Sequence, residues 1–303
     1  MSSKIGFIGL GNMGNPMSLN LVKKGFDLTV FDLNIDRMQE LTRSGAAAAI
    51  SPRDLASRVD VVITMLPGPP EIRQAVFGAE GILGGLHPGA CLIDMSTSSP
   101  VLSRQIAERL TAHQCEMLDA PVTKGIPAAK NGTLTVMVGG PERILNDCRS
   151  ILEAMATEII RVGNHGMGHA MKLVNQLISH SELVAICEAF ALGTQAGLDP
   201  QTIFDVVTRA SGNSFIFQYK APRILKRDFE PGFALDILYK DLELTTELGR
   251  DLRVPLFLAN TAAQVCQVGR AMGLAKKDGT ALVSIFEHYL GRQIRGDRGG
   301  VLK

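Results

Sequence analysis

One stretch near the start of the chain, IGFIGLGNMG at residues 5–14, restricts the fold more than any other. It reads as an apolar strand that closes on glycines at 9, 11 and 14 and opens a helix, which is the setting a dinucleotide-binding GxGxxG turn needs. Gly9 permits the tight turn, Gly11 lets a pyrophosphate approach the backbone, and Gly14 lets the helix pack on the strand. Leu10, Asn12 and Met13 complete the cradle, with the positive end of the helix dipole facing the phosphates. The next strand, LTVFD, ends at Asp32, eighteen residues beyond Gly14. A carboxylate there accepts hydrogen bonds from the adenosine ribose hydroxyls and repels a 2′-phosphate. Asp32-Leu33-Asn34 places no basic residue at the strand tip, so NAD is expected over NADP. Arg37, a turn later, is the one feature that pulls the other way. Flavin-binding and methyltransferase turns of similar composition are the alternative.

The remainder of the first half fits that start. Apolar β-rich runs (KIGFI, DLTVFD, DVVITML, ACLIDMS, EMLDAPV, TLTVMVG, EIIRV) alternate with helical patterns at Pro16–Lys24, Asp36–Arg43, Pro52–Ser57 and Pro100–His113. Such alternation implies an α/β fold, a Rossmann-type doubly wound and mostly parallel sheet covered on both faces. From Gly166 the strand signal stops and a helical period takes over, broken at 197–200, 211–214, 230–232 and Val254-Pro255. The expected organisation is a dinucleotide-binding domain over 1–163, an all-helical domain over 164–292 that begins with a long interdomain helix, and a mobile tail over 293–303.

Composition narrows the partners. With 31 basic and 30 acidic residues the net charge is +1, and Trp is absent, so neither nucleic acid nor a membrane surface is expected. The start MSSKIGFI leaves no room for a signal peptide. Five cysteines without CxxC spacing read as reduced thiols of a cytoplasmic protein. His165, His169, His180 and His288 show no metal-ligand spacing and read as structural or exposed; no metal is expected.

Ligands of open α/β sheets sit at the carboxyl ends of the strands. In ITMLPGPPE, Leu66 and Pro67 would line the cofactor, with Pro70 at the start of the following helix. In IDMSTSSP, Thr97 could face the nicotinamide, unless Ser96–Ser99 merely cap the helix after Pro100. In HAMKLVNQLISH, residues 169–180, Lys172, Asn175, Gln176 and Ser179 fall within roughly 100° of arc on a helix otherwise suited to a core. The same arc turns apolar at Leu183 and Ile186, so the polar patch is a spot and not a solvated face. A lysine snorkelling from a helix start is the alternative.

Taken in order, FIGLGNMG, IDMST, DAPV, GTLTVMVGG, GMGHAMKLVNQ and YKDL resemble the β-hydroxyacid dehydrogenase family over about residues 4–290. The resemblance implies a Rossmann domain, a long interdomain helix, a helical C-terminal domain and assembly as a homodimer or homotetramer. It places the catalytic lysine at Lys172 and a substrate-side amide at Asn175 or Gln176. It puts site-closing groups at Phe233, Lys240 and Asp241, with Lys240 toward the cofactor. A KD pair in an ordinary amphipathic helix is the alternative. The substrate loop DAPVTKG departs from the family's DAPVSGG: Thr123 keeps a hydroxyl donor, Lys124 adds a charge, and Gly125 follows. Lys124 points to solvent or pairs with a second anionic group on the substrate. Chemistry suits a lysine at 172, since hydride transfer from an alcohol needs a base for the hydroxyl proton. Positioned proton transfer contributes on the order of 10²–10⁴ in rate.

The expected activity is NAD-dependent hydride transfer on a small anionic 3-hydroxy acid or its semialdehyde, of the 3-hydroxyisobutyrate or tartronate semialdehyde type. Two alternatives stand beside it: a relative tuned to a dianionic substrate through Lys124, such as a sulfolactaldehyde- or hydroxymethylglutarate-like compound, and a non-catalytic NAD-binding interaction module.

Overall fold

The computed structural model describes residues 4–296. The chain folds as two compact units, Met1–Lys172 and Leu173–Lys303. In the first, strand and helix alternate. The order is β1 (Ile5–Ile8), α1 (Gly14–Lys23), β2 (Leu28–Phe31), α2 (Ile35–Arg43), β3 (Ala47–Ala48), α3 (Pro52–Ala56), β4 (Val61–Thr64) and α4 (Pro69–Phe77). There follow β5 (Cys91–Asp94), α5 (Pro100–Ala112), β6 (Glu116–Asp119), β7 (Val122–Thr123), α6 (Gly125–Asn131), β8 (Leu134–Gly139), α7 (Glu142–Asp147), α8 (Arg149–Glu153) and β9 (Ala156–Gly163).

These strands form one sheet in the order β3-β2-β1-β4-β5-β6-β8-β7, with β9 paired to β8. The ladder is parallel from β3 through β6; β8 then runs antiparallel to β6 and β7 and parallel to β9. The strand run EMLDAPV is broken into β6 and β7 around Pro121, which has no N–H to give a ladder. The two-residue β3 escapes a periodicity reading because both its alanines are exposed. Successive residues of the central strands enter opposite cores, as the pleat requires. Ile5, Phe7, Val61, Ile63 and Ile93 join Met17, Leu21 and Leu41 on one face, while Ile8, Val62 and Leu92 join Leu55, Ile72 and Ile106 on the other. Helices cover both faces, which is why the strands read as unbroken apolar runs.

The helix α9 (Met167–Gln195) begins in the first unit and continues in the second, followed by α10 (Pro200–Val207), α11 (Phe215–Lys226), α12 (Leu235–Asp251), α13 (Phe257–Ala271) and α14 (Val283–Leu290). The expected break points hold: Asp199 caps α10 ahead of Pro200 at its first position, and Ser214 caps α11. Leu183, Cys187 and Phe190 of α9 enter a core with Phe217, Leu238, Leu242, Cys266 and Leu282. By length and composition alone α9 could cross a bilayer; its part from Leu183 onward packs in this core. The compact units change over at Lys172/Leu173, and the first turn of α9 is fastened to the sheet of the first.

The expected mobile tail is corrected where it is described. Ile294 is fully buried, its N–H meets Glu287 Oε1 at 2.6 Å, and Gly296 N–H meets Leu225 O at 3.0 Å. A single apolar residue among Gly and Arg carries no period, yet it suffices to dock the segment. Residues 297–303 lie outside the described residues.

Candidate active site

The glycine turn is built as its spacing demands. Gly9 takes φ +96°, and a Cβ there would lie 2.3 Å from Met65 O. At Gly14 a Cβ would lie 1.8 Å from Gly9 O, so no side chain fits between α1 and β1. At Gly11, among the described residues beyond its chain neighbours, a Cβ would come within 4 Å only of Arg37 Nη1, at 4.0 Å, which leaves the backbone open to a ligand. No side chain caps α1 at Met13, and of its first turn Asn15 N–H meets Gly11 O at 3.0 Å.

Asp32, at the tip of β2, is fixed by the turn it serves. Its Oδ2 accepts Leu10 N–H at 2.7 Å and its Oδ1 accepts Asn34 N–H at 2.8 Å. The strand tip lacks a basic residue in sequence, but the first turn of α2 supplies one, since Arg37 Nη1 lies 3.7 Å from Asp32 Oδ2 with its side chain half exposed.

The loops after β4, β5 and β6 are joined by buried polar groups. Ser96 Oγ accepts Leu66 N–H at 2.9 Å, and Asp94 Oδ1 accepts Thr64 Oγ1–H at 2.9 Å and Ser96 N–H at 3.2 Å. Pro67 and Pro70 are exposed, and α4 starts at Pro69, one residue earlier than Pro70 suggests. Ser99 is the residue that caps α5, and Thr97 is half-buried. Asp119 receives the start of α9, accepting Gly166 N–H at 2.8 Å on Oδ1 and His169 N–H at 3.0 Å on Oδ2. Gly168 permits this approach, for a Cβ there would lie 2.2 Å from Asp119 O. Sequence reasoning missed Asp94, Ser96, Asp119 and His169; the GMG doublet at 166–168 was the signal for a close backbone approach.

Lys172 follows His169 by one turn and is buried, at 7% exposure. The surrounding helix reverses the usual pattern. Lys172, Gln176 and His180 are buried, while Met171, Val174 and Ile178 are 40%, 50% and 60% exposed. Only Leu173 among the nearby apolar residues is fully buried and Leu177 partly so.

Residues 119–134 are not all loop. Thr123 pairs with Thr135 across β7 and β8, and α6 follows at once. Its N-cap, Lys124, takes φ +81°, and Gly125 takes φ +71°. Asn20 of α1 donates to Ala129 O at 2.7 Å, tying the glycine-turn helix to α6.

The second unit gathers its candidates around His180. Gln176 Nε2 donates to Asp241 Oδ2 at 2.5 Å and lies 3.1 Å from His180 Nε2; Asn175 Nδ2 donates to Gln176 Oε1 at 3.1 Å. His180 Nε2 is 3.5 Å from Asp241 Oδ2, and Lys240 Nζ is 2.8 Å from Asp241 Oδ1. The Phe233 ring lies 5.6 Å from the His180 ring. Phe233 is not on a helical side shared with Lys240 and Asp241, because α12 starts only at Leu235. It reaches His180 from the preceding loop, held by Phe233 N–H on Asp278 Oδ2 at 2.9 Å. His180 is therefore a further member, readable from the i, i+4 spacing 172, 176, 180.

All five cysteines are free and buried. Burial pushes the Cys187 thiol up and that of Cys266 up to about 12, so neither is a nucleophile near neutral pH. Among the described residues no group of three His, Cys, Asp or Glu side chains is disposed to hold a metal ion.

Residues 4–163 match the family model of the NAD binding domain of 6-phosphogluconate dehydrogenase, and residues 166–286 that of the NAD-binding domain of NADP-dependent 3-hydroxyisobutyrate dehydrogenase. The chain is 35% identical to 2-(hydroxymethyl)glutarate dehydrogenase of Eubacterium barkeri, over 97% of this chain and 98% of that protein. It is 35% identical to L-threonate dehydrogenase of Cupriavidus necator, over 94% and 97% of the two chains. Among solved structures, Mycobacterium tuberculosis 3-hydroxyisobutyrate dehydrogenase with L-serine superposes with a TM-score of 0.86 at 34% identity, covering 94% of this chain and 99% of that one.

Proposed function

The chain belongs to the β-hydroxyacid dehydrogenase family, and from that membership we propose that it oxidises a small 3-hydroxy acid, or reduces its semialdehyde, with Lys172 carrying the proton. It is an NAD(P)-linked oxidoreductase. The groups at the turn fit a dinucleotide: a backbone open at Gly11, a helix start without a side-chain cap, and a carboxylate fixed at the β2 tip. A dinucleotide held by these groups would supply hydride-transfer chemistry.

The chain's own residues do the remaining work. The single observation that carries this reading is a lysine buried at 7% exposure, one turn after a helix start that Asp119 anchors to the carboxyl end of β6. That is the edge where open α/β sheets bind their ligands. As a neutral amine, Lys172 takes the hydroxyl proton during oxidation; as an ammonium it returns a proton during reduction. Thr123 Oγ1 and the amides of Lys124 and Gly125 are assigned to the substrate carboxylate. Thr97, Leu66, Pro67, Pro70 and Lys240 are assigned to the cofactor side. Asn175 or Gln176 is the amide assigned to the substrate, with Phe233 and Asp241 closing the site; Gln176 holds Asp241, and Asn175 in turn holds Gln176. Asp32 favours NAD, because its carboxylate is held by two N–H groups and cannot swing away from a 2′-phosphate. Reduced thiols suit the cytoplasm, and a second copy of the chain is the expected protein partner.

The test is reduction of NAD⁺ and NADP⁺, side by side, with a panel of 3-hydroxy acids. Lys172→Ala is expected to lower kcat at least about 10²-fold with NADH affinity retained. Full activity in that variant leaves a nucleotide-binding module instead.

A second reading is favoured by Lys124. A non-glycine residue at φ +81° is strained, and a charge kept there suits a substrate with a second anionic group, as in a dicarboxylate.

A further inference from the structure

We infer that His169 is a positioning residue for the Lys172 amine, acting through a buried polar strut that ties the first turn of α9 to the loops after β4 and β5. The inference rests on the assignment of Lys172 as the proton carrier. His169 is fully buried. Its Nδ1 lies 2.6 Å from Ser103 Oγ on α5, and its Nε2 lies 3.1 Å from Ser96 O. A carbonyl only accepts, so Nε2 carries a hydrogen and gives it to Ser96 O. Asp94 Oδ2 stands 3.7 Å from the same nitrogen and has no hydrogen-bond partner of its own among the described residues.

Ser96 turns this contact into a network. Its N–H is held by Asp94 Oδ1 and its hydroxyl accepts Leu66 N–H, so one residue carries the β4 loop, the β5 loop and, through His169, the start of α9. Thr97, the next residue, is assigned to the nicotinamide. Lys172 follows His169 by three positions, which on a helix puts the two on neighbouring turns of one side. A helix start that needed only packing would be served by an apolar side chain. A buried imidazole costs desolvation that only its bonds offset. With Asp119 fixing the backbone of the same turn, the imidazole sets the rotation of α9, and therefore where the amine stands relative to Thr97. Proton transfer falls off steeply with misplacement, on the order of 10²-fold for about 1 Å.

The test compares His169→Ala, His169→Gln, Ser103→Ala and Lys172→Ala in the full-length protein, with 3-hydroxyisobutyrate and, separately, 2-(hydroxymethyl)glutarate as substrates. His169→Ala is expected to lower kcat roughly 10- to 100-fold. NADH binding, followed by fluorescence, should stay within about twofold, and the deuterium isotope effect on kcat should rise as the chemical step becomes limiting. His169→Gln keeps an N–H donor for Ser96 O and is expected to recover most of kcat. Should His169→Ala fail to fold, Ser103→Ala removes only the partner on Nδ1 and is expected to show a smaller loss with the same rise in isotope effect. An unchanged kcat in the foldable variants, or a loss matched by weaker NADH binding with no change in isotope effect, overturns the inference. If Lys172→Ala is inactive while His169→Ala is fully active, this inference alone fails. If Lys172→Ala retains full activity, the assignment beneath it fails first.

Discussion

Lys124 shows how one residue can set stability against selectivity. Left-handed backbone costs an L-residue roughly 1–2 kcal/mol, and glycine gives back part of that through chain entropy. Lys124→Gly is therefore expected to raise stability by about 0.5–1 kcal/mol, read as a higher urea midpoint with an unchanged slope. At the same time its KM for 2-(hydroxymethyl)glutarate should rise well beyond that for 3-hydroxyisobutyrate. Equal changes in the two KM values would remove the dianion reading. The glycines of the turn stand at the other extreme, legible in sequence because covalent geometry alone decides them: Gly14 has 1.8 Å where a Cβ would need ordinary contact distance. His169 was not legible in that way. A histidine reads alike in sequence whether exposed or clamped, and its partners Ser103 and Ser96 lie 66 and 73 residues away.

Among the elements, the turn between α13 and α14 holds a buried carboxylate with several partners. Asp278 accepts Lys220 Nζ at 3.1 Å, Arg223 Nη1 at 3.4 Å, Phe233 N–H at 2.9 Å and Thr280 N–H at 3.1 Å. Burial pushes its carboxyl up, but Lys220, the two backbone N–H groups and Arg223 together outweigh it and hold it below the usual carboxylate range. For Lys220 burial wins, and its ammonium sits below the usual lysine range despite Asp278. The carboxylate's folded value is lower than its unfolded one, so its contribution is fully present above about pH 4 and is lost as pH falls through the folded value. Asp278→Asn is expected to cost about 3–5 kcal/mol at pH 7, because it leaves Lys220 buried without its main countercharge. It should also flatten the loss of stability below about pH 4, measured by urea unfolding at both pH values. The helix α9 was visible in the sequence as an element, but not which of its faces would be buried. Apolar residues normally mark the inner face of a helix; here Lys172, Gln176 and His180 take that place because Asp241 satisfies two of them.

That reversal leaves Met167, Met171, Val174 and Ile178 exposed at 39%, 40%, 50% and 60%, at the 4-3-4 spacing of a helix–helix seam. Apolar side chains exposed at that spacing suit a helix–helix seam, and a second copy presenting the same stripe is the occupant to test. Ile178→Glu is expected to reduce the assembled mass to that of one chain in light scattering, and an unchanged mass would place the contact elsewhere. By itself the sequence determined the α/β class, the dinucleotide turn, the change to an all-helical second half and the lysine on α9. Each of these follows from local periodicity, from a backbone conformation only glycine allows, or from ordered short motifs. The tertiary structure alone decided that Gln176 is committed to Asp241, that Phe233 reaches His180 from a loop, that Arg37 meets Asp32, and that His169 joins two strand ends. Those pairings depend on which distant residues the folded chain brings within about 3 Å, and hydrogen bonds at that range leave no period in the chain.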